Sequence, residues 1–355
     1  MDLASLGWSP FFEEAFKAHD GEGFVPARIT GRQGNLYIAL AGCGETRGKV
    51  SGRLRYECAN GASFPVVGDW VAVKANPETG LMTIHALLPR RTKFERADYN
   101  GGAYIGDQTV SANVDVIIVV ASLDQEVNEN RIVRYLAQGS ASGAKTILVL
   151  NKSDLSEDAC EAMNAAMKAA RGARIVLTSA VTGAGIPELA ELIGPGVTGS
   201  MVGPSGSGKS SIINSLLGEG RLKTGGVRGG DFKGRHTTTW RELVILPSGG
   251  MLIDNPGMRS IGVTGDEGLV AAAFEDVESL IALCKFRDCQ HRTEPGCAVK
   301  AAIADGHLAE ERFENYKRLQ RELWIISVKK SQRSRQGAAL SKAIKRRQKA
   351  EKLVL

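Results

Sequence analysis

The sequence predicts a multidomain chain: a small N-terminal β-barrel, a central α/β domain built on a parallel sheet, and a helical C-terminal region. Three observations predict it. Short segments alternating apolar and polar residues crowd positions 24 to 90. From about residue 110, apolar strand-like runs alternate with helical stretches. After residue 270 the chain is helical and basic, with a cluster of cysteines embedded in it.

Composition limits the classes open to it. A chain of 355 residues has room for two or three domains, each with its own core. An apolar content of 43% is ordinary for a soluble globular protein, and no run approaches the length of a membrane span. The start, MDLASLGWSPFFEEAF, lacks a basic stretch and a small-residue cleavage site, so no export signal is expected. Six cysteines do not make a disulfide scaffold here. Three of them lie between 284 and 297 beside a histidine, which points to metal in a reducing compartment and to a cytoplasmic protein. The net charge of +6 is uneven: from Lys317 to Leu355, thirteen Lys or Arg face only Glu322 and Glu351. Such a tail suits a polyanion such as nucleic acid, and the alternative is a solvated, partly helical terminus.

In the first segment, NLYIAL, DWVAVK and LMTIHALL alternate in the manner of half-buried strands, separated by turns such as CANGASFP and NPETG. Four or five strands in this length fit a small barrel, with the OB-fold as a candidate. Arg28, Arg32, Arg47, Lys49, Arg53 and Arg55 make it basic enough to touch RNA, and a purely structural barrel is the alternative.

In the second segment, VDVIIVVA (114–121), KTILVLN (145–151), ARIVLTS (173–179), TGSMVG (198–203), ELVILP (242–247) and GMLIDN (250–255) read as strands of a sheet covered on both faces. Helix punctuation follows residue 155: Ser156 can cap, Glu157 and Asp158 suit the first turn, and Gly172 suits the end.

The run Gly203, Pro204, Ser205, Gly206, Ser207, Gly208, Lys209, Ser210 satisfies G-x-x-x-x-G-K-[ST] between a strand and an apolar helix. Its N–H groups and the helix N-terminus make an anion site for a di- or triphosphate. Lys209 should reach the β- and γ-phosphates, Ser210 should offer a hydroxyl to Mg²⁺, and Ser211 lies near the α-phosphate. Asp254 and Gly257 of DNPG also follow a strand. Asp254 is placed to hold Mg²⁺ through water, and the Gly257 N–H to meet the γ-phosphate. Between them lies TGGVRGGDFKGRHTTT (224–239), suited to a switch whose threonine ligates Mg²⁺ when the γ-phosphate is present, with Thr238 the candidate. A plain linker is the alternative.

Upstream, Asn151-Lys152-Ser153-Asp154 ends a strand. Asp154 can accept the N1–H and the exocyclic N–H of guanine, a pattern adenine does not offer. Lys152 can lie over the base, and Asn151 can pin the neighbouring loop. Ser179-Ala180 ends another strand, where the Ala180 N–H can meet guanine O6. The base-reading half thus precedes the phosphate half, so the central domain reads as a circularly permuted P-loop GTPase domain binding GTP or GDP. A sheet tolerates this order because its contacts depend on which strands are adjacent.

Cys284, Cys289, His291 and Cys297 are spaced C-x4-C-x-H-x5-C. Three thiolates and one imidazole fill a tetrahedral site and leave no open position, so one structural Zn²⁺ is expected.

The order of these motifs (NKSD, SA, P-loop, GRHTTT, DNPG and the Cys/His cluster), with VVGDWV and NRIVRYL, resembles the circularly permuted small-ribosomal-subunit biogenesis GTPases of the RsgA (YjeQ) family. The resemblance covers most of the chain. It implies an N-terminal OB-fold (1–105 with its extension), a permuted GTPase domain (106–270) and a zinc-binding helical domain with a basic tail (271–355). It also implies a role in late maturation of the 30S subunit, contact with 16S rRNA, and GTP hydrolysis stimulated by the subunit. A monomer is expected. The family's threonine in DTPG is Asn255 here, which is no ligand in this scheme, so little change is expected. Many GTPases orient the attacking water with a glutamine just after the DxxG glycine, where this chain has Met258. The resemblance points to His236 as the catalytic substitute; the alternative is a histidine that contacts RNA or packs in its loop. An RNA-binding protein that keeps GTP as a structural ligand is the competing function. An ATP-using P-loop kinase is disfavoured by Asp154.

Overall fold

The structure is a computed structural model. It describes residues 2–19, 21, 23–59, 63–76, 80–100, 103–124, 127–155, 159–170, 172–218, 241–255 and 274–351. Residues 1–95 and 109–261 cluster into one compact unit, and residues 96–108 with 262–355 into a second.

In the first unit, α1 (Pro10–Phe16) opens with proline, whose fixed φ and missing N–H suit a first helical turn. Trp8 and Phe12 then pack on Trp70, with ring centroids 4.7 and 5.9 Å away. Strands β1 (Val25–Gln33), β2 (Leu36–Ala41), β3 (Gly44–Val50), β4 (Trp70–Ala75) and β5 (Met82–Leu87) follow, with α2 (Gly52–Ala59) between β3 and β4. Their order is β1-β2-β3-β5-β4, and β4 pairs back onto β1 through Val25↔Val73, so the ring closes and leaves no open edge. β3 and β5 run parallel and the other neighbours antiparallel. This is the expected five-stranded OB-fold barrel. Alternate residues Ala27 and Ile29, Tyr37 and Ala39, and Val71 and Val73 fill it. Gly48 permits the parallel pairing: a Cβ there would lie 1.8 Å from the Met82 carbonyl oxygen. The buried Asp69 of VVGDWV accepts from the Val66 N–H at 2.8 Å and from Arg90 at 2.7 and 2.8 Å, which fixes the turn into β4.

Arg28 departs from the sequence reading that places it on an RNA-facing surface. It is 1% exposed. Its guanidinium donates to the carbonyls of Leu6, Gly68 and Asn113, and lies 3.4 Å from the Met251 sulfur. Burial lowers its pKa to about 10, against the opposing pull of Asp115. An inward-facing strand position turned it into a structural tie.

A hairpin of β6 (Lys93–Asn100) and β7 (Ala103–Ala112) leads out of the barrel. The α/β sheet then uses β8 (Val116–Ser122), β9 (Lys145–Asn151), β10 (Arg174–Leu177), β11 (Thr198–Val202), β12 (Glu242–Ile245) and β13 (Met251–Asp254). With them come α3 (Glu129–Ala141), α4 (Ala159–Ala170), α5 (Ile186–Leu192) and α6 (Lys209–Leu217). The order is β10-β9-β8-β11-β13-β12, parallel from β10 to β13, with β12 antiparallel. Ile118, Val120, Val149, Met201, Ile212 and Leu252 form the core between this sheet and its helices. β11, which runs into the glycine-rich loop at Gly203, therefore lies in the middle, although β8, β9 and β10 precede it in the chain. One pairing, Gly31↔Glu242, joins β12 to β1 and makes the barrel and the α/β sheet continuous.

The second unit holds α7 (Glu275–Ala282), α8 (Ala298–Ala304) and the long α9 (Glu310–Glu351). Phe274 packs edge-on against Tyr316, which stacks with Phe313. Arg312 pairs with Asp276 at 2.6 Å and lies over the Phe274 ring. Ala97 and Tyr104 of the hairpin pack with Ile326 of α9. Among the described residues, no helix is long and apolar enough to cross a membrane.

Candidate nucleotide site and metal cluster

The ends of β9, β10 and β11 converge because they are parallel neighbours or one strand removed, with β8 between β9 and β11. Asn151 is 1% exposed, donates from Nδ2 to the Ser207 carbonyl at 3.0 Å, and accepts at Oδ1 from the Thr178 hydroxyl at 3.2 Å. One buried amide therefore joins the tetrapeptide, the end of β10 and the phosphate loop. Lys152 holds a left-handed φ of 64° and pairs with Asp124. Ser153 to Leu155 form one 3-10 turn, held by the Ser153 N–H bonded to the Thr178 carbonyl at 3.1 Å. That turn leaves Asp154 exposed, with one carboxylate oxygen accepting from the Ser179 hydroxyl. Ser179 is fully buried, and its oxygen accepts the N–H groups of Val181 and Thr182. The Ala180 carbonyl meets the Ser215 hydroxyl of α6 at 3.0 Å.

The loop from Gly203 to Gly208 leads into α6, which starts at Lys209. Gly208 has φ +90°, and a Cβ there would fall 2.0 Å from Asn151 Nδ2, so only glycine fits. Ser207 is buried, with its hydroxyl on the Pro204 carbonyl at 3.0 Å, while Ser205 and Gly206 are exposed at the tip. The Lys209 ammonium is folded onto the carbonyls of Gly203 (3.0 Å) and Pro204 (2.6 Å). Burial lowers its pKa to about 8, partly opposed by Asp254. Ser210 and Ser211 sit half-buried in the first turn of α6.

Asp254 ends β13, next to β11 through Met201↔Asp254, and is 3% exposed. Burial pushes its carboxyl up; Lys209 opposes this, and Glu242, across the β12–β13 pair, adds to it. A buried cation and a buried acid thus lie near enough to influence each other's charge beside the glycine-rich loop. Asn255 is not idle: at 1% exposure its Nδ2 donates to Ser200 Oγ at 2.7 Å, tying the exit of β13 to the phosphate-loop strand. His236, Thr238, Gly257, Met258 and the caps Ser156, Glu157 and Asp158 lie outside the described residues.

In the C-terminal unit, one ligand atom each from Cys284, Cys289, His291 and Cys297 lies within 4.8 Å of all the others. His291 Nδ1 is 3.6 Å from Cys284 Sγ and 3.4 Å from Cys297 Sγ, and the two sulfurs are 3.9 Å apart. Cys297 also caps α8 by accepting from the Lys300 N–H at 3.5 Å. Burial lowers the His291 pKa, which favours the neutral imidazole that a metal requires. This Cys₃His set could hold a metal ion.

Sequence reasoning missed Asp124, the partner of Lys152. Its only signal is an acidic residue two positions beyond the end of a strand adjacent to the one that ends in Asn151.

Residues 87–264 match the family model described as RsgA GTPase. The small ribosomal subunit biogenesis GTPase RsgA of Opitutus terrae is 45% identical over 331 residues, covering 91% of this chain and 90% of its own. The protein of the same name from Methanosarcina acetivorans is 39% identical over 323 residues, covering 91% of this chain and 86% of its own. Among solved structures, YjeQ from Thermotoga maritima aligns at TM-score 0.61 and 29% identity, over 85% of this chain and 99% of that one. YloQ, described as a circularly permuted GTPase, aligns at TM-score 0.54 and 22% identity, over 86% of this chain and 96% of that one, a likeness of fold. With the strand order and the motifs in agreement, the chain belongs to the RsgA GTPase family of circularly permuted, GTP-hydrolysing enzymes.

Proposed function

We propose that this GTPase binds the small (30S) ribosomal subunit during late assembly, contacting 16S rRNA, and hydrolyses GTP to GDP and phosphate with stimulation by the subunit. The relatives carry small-subunit biogenesis in their names, and the basic run from Lys317 onward suits an RNA polyanion. The observation that carries the nucleotide reading is the Asn151–Ser207 hydrogen bond, which joins base-reading and phosphate-binding segments into one site.

In this reading Asp154 recognises the guanine edge, Lys152 covers the base, Ser153 and Ser179 shape the turn, and the Ala180 N–H meets O6. The backbone from Gly203 to Gly208 cradles the phosphates, Lys209 swings from its loop carbonyls onto the β- and γ-phosphates, and Ser211 lies near the α-phosphate. Asp254, buried beside Lys209, and the hydroxyls of Ser210 and Thr238 are hard oxygen donors that fit Mg²⁺, which when bound neutralises charge on the phosphate oxygens. Gly257 offers its N–H to the γ-phosphate. His236 positions the attacking water when the subunit is bound.

The Cys₃His set fits one structural zinc ion. Tetrahedral Zn–S bonds of about 2.3 Å and Zn–N bonds of about 2.0–2.1 Å give edges of about 3.8 Å (S–S) and about 3.6 Å (S–N). The spacings of 3.9, 3.6 and 3.4 Å support that assignment. The functional domains in this reading are 1–105, 106–270 and 271–355, in a cytoplasmic monomer.

Co-sedimentation with purified 30S subunits tests the proposal. The chain should pellet with subunits in a non-hydrolysable GTP analogue and stay in the supernatant in GDP; equal partition in both would contradict it.

A further inference from the structure

We propose that Asp124 is a positioning residue of the guanine site, holding the Lys152 side chain in place as the platform on which the base rests. The inference rests on the assignment of Lys152 to the base, made above.

Parallel pairing of β8 with β9 puts Ser122 opposite Asn151, so the two strands leave the sheet side by side. The Leu123 N–H bonds the Asn151 carbonyl at 2.9 Å, which carries that adjacency one residue beyond the strands. The next residue on each chain is a charge, and Lys152 Nζ meets Asp124 Oδ2. Lys152 adopts φ 64°, a conformation disfavoured for a residue with a Cβ. In it the side chain leaves the strand direction and crosses toward β8. The pair is partly sheltered, with side chains 21% and 24% exposed. Burial pushes the Asp124 carboxyl up, but hydrogen bonds from Lys152 and Ser122 outweigh it and hold the carboxyl below its usual range.

An unattached lysine samples many rotamers, and a base stacking on its stem must freeze them. A stem tied at its ammonium by Asp124 has lost that freedom before the nucleotide arrives, so part of the ordering cost is removed from binding. Preorganisation of this kind slows release of the ligand. The same carboxylate, taken alone, would act in the opposite sense: it is a negative charge near a polyanionic ligand, and deleting it should then tighten binding. The two effects differ in sign, so one measurement separates them.

The experiment measures release of a fluorescent GDP, and of a fluorescent non-hydrolysable GTP analogue, from the full-length chain. Asp124→Asn should speed release of both on the order of fivefold, and by the same factor, because the base is common to the two. Asp124→Glu keeps the charge and should recover part of the loss. In a Lys152→Met background, which keeps an apolar stem without its charge, Asp124→Asn should add nothing. Unchanged or slower release from Asp124→Asn, or an undiminished effect in the Lys152→Met background, overturns the proposal. Competition on the wild-type chain separates this failure from that of the underlying reading. If ATP displaces bound GDP as well as GTP does, the guanine assignment itself fails. If only GTP displaces it and Asp124→Asn has no effect, the positioning role alone falls.

Discussion

Asn151 and Ser207, separated by 56 positions in the chain, are joined by a 3.0 Å hydrogen bond from the buried amide to the loop carbonyl. The same amide sits where any side chain at residue 208 would go. The permuted order therefore leaves this contact intact: the end of β9, proposed to read the base, braces the glycine-rich loop proposed to hold the phosphates, whichever comes first in the chain.

Replacing Asn151 with Ala strips the brace and leaves the Ser207 carbonyl and the Thr178 hydroxyl each without this partner. Unmade buried bonds of this kind cost about 1–3 kcal/mol. The expected outcome is weaker binding of GTP and GDP alike, read by calorimetry, with a lowered melting temperature. Gly208→Ala, forced against Asn151 at φ +90°, should remove nucleotide binding altogether. Wild-type affinity in either variant would contradict the brace.

Asp154→Asn keeps an oxygen to accept from Ser179, so the fold should survive. It exchanges one of the two acceptors for a donor. GTP affinity should fall roughly tenfold or more, as for hydrogen bonds to a charged group. Preference should shift toward xanthosine nucleotides, whose 2-oxo group accepts from the new amide. Unchanged GTP affinity in competition binding would remove Asp154 from the base.

Lys209 gives a pH test in the nucleotide-free chain. Its folded pKa of about 8 lies below the ordinary 10.5, so between those values the unfolded chain binds the extra proton and stability rises with pH. The contribution is greatest above about 10.5 and is lost as pH falls through about 8. Lys209→Met should therefore be more stable than wild type at pH 7, by about 1–3 kcal/mol, with the gap closing as pH approaches 10. Denaturant melts at several pH values check this; a gap constant with pH would mean that Lys209 is not strained by burial.

Cys289→Ser should release the metal and loosen the unit that contains α7, α8 and α9, since closed metal sites supply folding energy. Nucleotide affinity should persist, because the residues proposed to bind nucleotide belong to the other compact unit. Metal content by mass spectrometry is the readout. One equivalent of zinc retained in the variant would exclude Cys289 as a ligand.

The local patterns were legible where one segment carries its own signal. Alternation in NLYIAL and DWVAVK marks β2 and β4, and the glycines and lysine of the phosphate loop mark the start of α6. Pairings between distant segments were not. Nothing near Val25 announces Val73, and nothing near Gly31 announces Glu242, yet these contacts close the barrel and fuse it to the GTPase sheet. Arg28 looked like a surface charge because its partners, Leu6, Gly68 and Asn113, come from three separate stretches. Asn255 looked inert for the same reason: its partner Ser200 lies 55 residues away. Asp124 was invisible until the parallel register of β8 and β9 put it beside Lys152.

In the proposed function the small subunit completes the chemistry of the GTP site, and steady-state GTP turnover with and without purified 30S subunits tests that most directly. Met258 stands where a water-orienting glutamine would be, so turnover of the free chain should be slow. Saturating subunits should raise it, and His236→Ala should keep GTP affinity and subunit binding while losing on the order of 10²-fold of the stimulated rate. Turnover indifferent to subunits at saturation would contradict the account and leave GTP as a structural ligand of an RNA-binding protein.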